Sequence, residues 1–86
     1  MKLDEVELNR EPDFELDSKV KLRKNIRNDG TFPGAEVGET IAKKGEEGYV
    51  IGVGTFLQTA YVYSIHFLST GKVVGCLGKE LEQAGG

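Results

Sequence analysis

Cys76 and His66 are the two soft metal-ligand side chains in the chain, so any metal chemistry has to start with them. Thiolate is the donor that iron–sulfur clusters prefer, and a cysteine near a histidine could touch a cluster or its precursor on another protein. A single cysteine cannot form an internal disulfide, and alone it cannot hold a structural metal, which takes about four ligands. The competing role for Cys76 is a small buried hydrophobe, with His66 an exposed strand residue. Cys76 and His66 therefore stand only as weak metal candidates, and no resident cofactor is expected. Nothing else in the sequence suggests turnover. There is no Ser/His/Asp spacing, no Cys pair and no His cluster, and a general acid or base must sit close to a reacting group. Gly45, Gly48, Gly52 and Gly54 run from strand through turn to strand, without the helix N-terminus that would bind a phosphate. Neither catalytic residues nor a small-molecule substrate are expected.

Recognition is the better prospect. Arg27, Asn28, Asp29, Thr31 and Phe32 offer a cation, an exposed amide, a carboxylate, a hydroxyl and an aromatic ring, on a backbone stiffened by Pro33. Binding residues concentrate on loops held by rigid scaffolds. The alternative is that Asn28 and Asp29 satisfy their own backbone while Phe32 plugs one end of the fold. Phe56, Leu57 and Gln58 form a second candidate at a hairpin tip, where apolar residues either fold back or face a partner. Lys19, Lys21, Arg23, Lys24 and Arg27 make a basic ridge.

The elements that position these residues are strands. Val20 and Leu22 alternate with Lys21 and Arg23 from Lys19 to about Ile26, the pattern of a half-buried strand. Residues 28–47 then form a long connection, with residues 35–44 open between a short strand and a loose turn. A second strand covers Tyr49 to Thr55, with Tyr49, Ile51 and Val53 on one face and Gly52 and Gly54 on the other. The strongest strand is Tyr61 to Leu68, whose Tyr61, Tyr63, Ile65 and Phe67 form a core face. Thr70 and Gly71 suit a two-residue hairpin. That register pairs Phe67 with Val74, Ile65 with Cys76 and His66 with Gly75, turning Cys76 inward and His66 outward. Lys79 to Leu81 read as a closing turn. Strands recurring about every ten residues with no helix between them favour a small barrel.

The chain of 86 residues is long enough for one core and too short for two. Residues 1–14 are expected to be a flexible acidic arm, 15–82 the domain and 83–86 a frayed end, with Phe14 and Leu16 docking where the domain begins. Residues 1–17 carry seven acids against Lys2 and Arg10, so the net charge of −3 divides into −5 there and +2 beyond. That weak basic balance argues against nucleic acid as a partner. No run approaches the roughly 20 apolar residues of a membrane span, and the acidic start is unlike a signal peptide, so the expectation is a cytoplasmic chain without a membrane partner.

Five segments together resemble the NifZ family. They are Ile26-Arg27-Asn28-Asp29-Gly30-Thr31-Phe32-Pro33-Gly34, Gly48-Tyr49-Val50, Val53-Gly54-Thr55-Phe56-Leu57-Gln58, His66-Phe67-Leu68 and Gly71-Lys72-Val73-Val74-Gly75-Cys76. Their order and spacing match over roughly residues 15–82. The resemblance implies an all-β, SH3-like barrel of about five strands. It also implies a non-enzymatic, chaperone-like accessory role in nitrogen fixation, binding the nitrogenase molybdenum-iron protein or its assembly intermediates while the P-cluster is completed. Leu77-Gly78-Lys79-Glu80-Leu81 is less charged than the family pattern, and the chain is expected to lack the longer C-terminal extension of many members. Two alternatives come from other classes: an RNA-binding barrel, suggested by Gly45 to Val50, and a permanent structural subunit of a redox complex.

Overall fold

A computed structural model describes residues 11–30, 32–56 and 60–84. The described residues are all-β apart from one short 3-10 turn, as the alternation of side chains requires. The strands are β1 (Lys19–Leu22), β2 (Ile26–Arg27), β3 (Thr40–Ala42), β4 (Glu47–Phe56), β5 (Ala60–Phe67), β6 (Val73–Leu77) and β7 (Leu81–Gln83), with the 3-10 turn at Gly78–Glu80. Five strands form one antiparallel sheet in the order β6-β5-β4-β1-β7, while β2 and β3 make a separate hairpin. No hydrogen-bonded ladder joins the two sheets among the described residues, so the expected barrel is not closed by strand pairing there.

The core is what the period-two pattern supplies. Val20 and Leu22 of β1, Val50 of β4 and Tyr63, Ile65 and Phe67 of β5 are all at most 1% exposed. Burying each such side chain stabilises the fold by roughly 1.5–3 kcal/mol before conformational entropy is set against it. Cys76, Val74 and Leu81 close the core from β6 and β7. Phe14 enters it as well, edge-on to Tyr63 with ring centroids 5.3 Å apart, and the Tyr63 hydroxyl accepts the Asp13 N–H at 2.9 Å. Leu16, expected to dock beside Phe14, is instead 59% exposed, because the chain turns at Leu16–Asp17 to enter β1. At the other end, β7 continues to Gln83 and the Ala84 N–H reaches the Lys19 carbonyl at 3.0 Å, so the sheet runs slightly past residue 82.

Three details differ from the sequence pattern. The first strand stops at Leu22 rather than near Ile26: the Leu22 N–H bonds to Glu46 O at 2.9 Å and its carbonyl accepts from Gly45 N–H at 2.9 Å. These bonds close the base of an excursion that leaves and returns at one point, and β2 and β3 form inside it. Residues 35–44 accordingly resolve into a turn at Glu36–Glu39 followed by β3. In β4, the ladder shifts between Val50 and Gly52, so Ile51 is an extra, bulged residue. Tyr49 and Val53 therefore lie on opposite faces, and the core residue here is Val50.

The third detail is the β5–β6 register. Ile65 pairs with Val74, Tyr63 with Cys76 and His66 with Val73, two residues away from the expected pairing. The reason is the turn, which holds four residues, Leu68 to Gly71, instead of two. Phe67 N–H bonds to Lys72 O at 2.9 Å across it, and Gly71 closes it with φ +73°, a conformation glycine adopts without strain. A slip of two preserves facing, so Cys76 still points inward and His66 outward.

Candidate functional site

A groove of about 550 Å³ lies where the two sheets part, between β6 on one side and β2 with the following loop on the other. Its apolar lining comes from Ile26, Phe32, Pro33, Ile41 and Val62, and the length of β6 from Val73 to Leu77 forms one wall. Arg27, Asp29 and Glu80 supply the charge.

The loop wall is built by Asn28, which is 3% exposed. Its side-chain N–H groups donate to the carbonyls of Phe32, Ala35 and Glu36 at 3.2, 2.9 and 3.2 Å, and its Oδ1 accepts from the Gly30 and Phe32 N–H groups, both at 3.0 Å. Its backbone is tied to the far side of the loop as well, through Glu39 O and Gly38 N–H at 2.8 and 2.7 Å. Of the two roles open to this amide, an exposed recognition group or a partner for its own backbone, the second is the one it fills. An amide can span several chain carbonyls at once, and here it replaces the regular ladder that an irregular loop lacks. Asn28 shapes the groove without presenting itself to a ligand.

Phe32 is half-buried, packs against the core and also forms part of the groove wall. The Lys72 ammonium sits 5.8 Å from its ring centroid and donates to Ile41 O at 3.4 Å, strapping the β5–β6 turn to the excursion. Arg27 and Asp29 are exposed at the groove. Asp29 is engaged by an interaction of its own, and Arg27 has no hydrogen-bond or ion-pair partner for its side chain among the described residues. Thr31, Leu57 and Gln58 lie outside the described residues, as does the side chain of Phe56, whose backbone closes the β4–β5 pair opposite Ala60.

Cys76 and His66 are not brought together. The Cys76 side chain is 1% exposed, and burial, with the nearby charge of Glu80, pushes its thiol pKa up to about 12. It is a neutral thiol at physiological pH and a poor nucleophile or ligand. His66 stands on the outer face between Tyr49 and Val73. No cluster of three or more metal-ligating side chains occurs among the described residues.

Two of the five side chains of the basic ridge are paired with acids of the chain among the described residues: Lys19 lies 3.4 Å from Glu47 and Lys21 3.6 Å from Glu82. The outer face carries a row the residue pattern did not single out. Tyr49 and Val73, 39 and 47% exposed, flank His66 across the sheet, and the bulged Ile51 is 51% exposed. The free wall of β6 was missed too, because a strand's outermost position is a property of sheet order and leaves no mark in local alternation.

The NifZ domain family matches residues 11–83. A protein of Azotobacter chroococcum named NifZ is 46% identical over 70 residues, which is 81% of this chain and 44% of that protein. The Azotobacter vinelandii protein of the same name is 44% identical over the same shares. A Sinorhizobium fredii protein carrying the NifZ name is 43% identical over 83 residues, 96% of this chain and 77% of the relative. The chain thus spans less than half of the Azotobacter proteins. No solved structure matches it.

Proposed function

The chain belongs to the NifZ family of nitrogen-fixation proteins, and from that premise we propose that it is a non-enzymatic accessory protein that binds the nitrogenase molybdenum-iron protein, or its assembly intermediates, during P-cluster maturation. The observation that carries this reading is the groove between β6 and the Asn28-organised loop, lined by the half-buried ring of Phe32 and by Arg27, whose side chain has no ion-pair or hydrogen-bond partner among the described residues. Such a surface works by contact: an apolar wall excludes water, and a fixed charge sets orientation. The thiol supports the same reading, because a buried, protonated sulfur is a packing element of the core. No helix among the described residues is long and apolar enough to cross a membrane.

The test is capture of the molybdenum-iron protein isolated before its P-cluster is complete, compared with the mature form. Binding of the immature form, weakened at least tenfold by Arg27→Glu while the melting temperature holds, is the expected result. Equal binding of both forms, or of neither, defeats the role. Arg27 is the right position to change because Phe32 also packs against the core, so Phe32→Ala would confuse contact with folding.

A further inference from the structure

The hydrogen-bond phase of β6 leaves its outer side open, and from this we infer that the chain takes up an extended segment of its partner protein as an added strand on β6, with a carboxylate of that segment against Arg27. This mode of contact rests on the partner-binding role above and specifies how the groove is filled.

Two bonds fix the phase. Phe67 N–H donates to Lys72 O on the β6 side, and Leu68 N–H to Glu47 O on the β4 side. Polar groups alternate along an antiparallel strand, so Tyr63 and Ile65 bond toward β6, and their partners Cys76 and Val74 are thereby used. Val73, Gly75 and Leu77 then point their backbone groups away from β5, into the groove. The Leu77 N–H is taken by the Glu80 carboxylate at 2.8 Å. The N–H groups of Val73 and Gly75 have no hydrogen-bond partner among the described residues.

A strand's edge with unpaired N–H and C=O groups is a template for another chain, and here it borders a groove with apolar walls for alternate side chains. Charge selects the occupant. Glu80 is held against the Leu77 N–H and Asp29 has an interaction of its own, whereas Arg27 has no partner among the described residues. An incoming strand with one carboxylate answers that cation. A second copy adding through its own β6 would bring Val73 to Leu77, which contain no acid, and would leave Arg27 unanswered.

The first arm of the test uses synthetic eight-residue peptides of alternating Val and Thr with one central Glu, or Lys in its place, followed by NMR on the full chain. The Glu peptide should slow exchange of the Val73 and Gly75 amides at least tenfold and bind at least tenfold tighter than the Lys peptide, with Arg27→Glu reversing that preference. Val73→Pro deletes one outward N–H at the first residue of an edge strand, where proline is tolerated, and should weaken binding at least tenfold. If Val73→Pro fails to fold, the charge reversal at exposed Arg27 decides. Absence of peptide binding, binding away from β6, or concentration-dependent protection of Val73 and Gly75 without any probe overturns the inference. In the second arm, the immature molybdenum-iron protein replaces the peptide. A complex that leaves the Val73 and Gly75 amides unprotected defeats strand addition and spares the proposed role, whereas peptide addition without such a complex defeats the role alone.

Discussion

The two outer strands of the five-stranded sheet are treated differently by the sequence. β7 has three residues, buries Leu81 and exposes Glu82 and Gln83, with Glu82 3.6 Å from Lys21 of its neighbour. β6 has five residues, Val-Val-Gly-Cys-Leu, and no charge. Shortness and charge are the usual ways to stop a sheet edge from recruiting stray strands. This chain has both devices and applies them to one edge only. The unprotected edge is the one beside the groove, which indicates that its openness has a use.

Five changes would break or sharpen that contrast. Gly48→Ala should have the largest effect, because Gly48 pairs with both Val20 and Phe67 and so holds the two halves of the sheet together. A Cβ there would meet the His66 carbonyl oxygen at 2.5 Å and Ile65 Cγ2 at 2.8 Å. About 3 kcal/mol should be lost in urea unfolding, with both edges exchanging their amides together. Near-wild-type stability would mean that the halves tolerate separation.

Asn28→Ala comes next, at about 2 kcal/mol, since it strands the Gly30 and Phe32 N–H groups that Oδ1 now accepts. Hydrogen exchange should quicken around the groove and leave β7 unchanged; uniform quickening would show that the two edges cannot be uncoupled. Cys76→Ala should cost about 1 kcal/mol for the lost sulfur. The native thiol should resist thiol reagents at pH 8 and react on unfolding. Its folded pKa, about 12, lies above the ordinary 9.0, so the stability it confers is whole below pH 9 and declines as pH rises toward 12. Cys76→Ala should remove that part of the alkaline loss, and an unchanged alkaline profile would count against the buried neutral thiol. The smallest change is Glu82→Gln, within about 0.5 kcal/mol because the pair with Lys21 is solvent-exposed. Replacing both by Lys21→Thr and Glu82→Val should bring concentration-dependent association in sedimentation. If the double variant stays monomeric, charge is not what protects β7.

Much of this was legible in the residues, for identifiable reasons. Val20, Leu22, Tyr63, Ile65 and Phe67 announce strands and core because alternation is a local property of a half-buried chain. The inward Cys76 and outward His66 survived a wrong register because a slip of two keeps faces. What failed depended on backbone choices that side-chain types do not encode. The four-residue turn could not be told from a two-residue one by Thr70 and Gly71 alone, and the bulge at Ile51 broke an alternation that looked continuous from Tyr49 to Val53. In the candidate site, a cation and a ring on a proline-stiffened loop singled out Arg27 and Phe32, and both line the groove. The local bonds of Asn28 to Gly30 and Phe32 match the alternative of an amide serving its own backbone, whereas those to Ala35 and Glu36 lie beyond the span of an ordinary side-chain turn.

The bulge also makes a prediction about chain length. Val50 and Gly52 already face consecutive residues of β5, Ile65 and Ser64, so excising Ile51 would leave every partner across the ladder where it is. Loss of any neighbouring residue would misalign the rest of the strand. Relatives one residue shorter in their longest strand should therefore have their gap at this position, and their sheets should be flatter there.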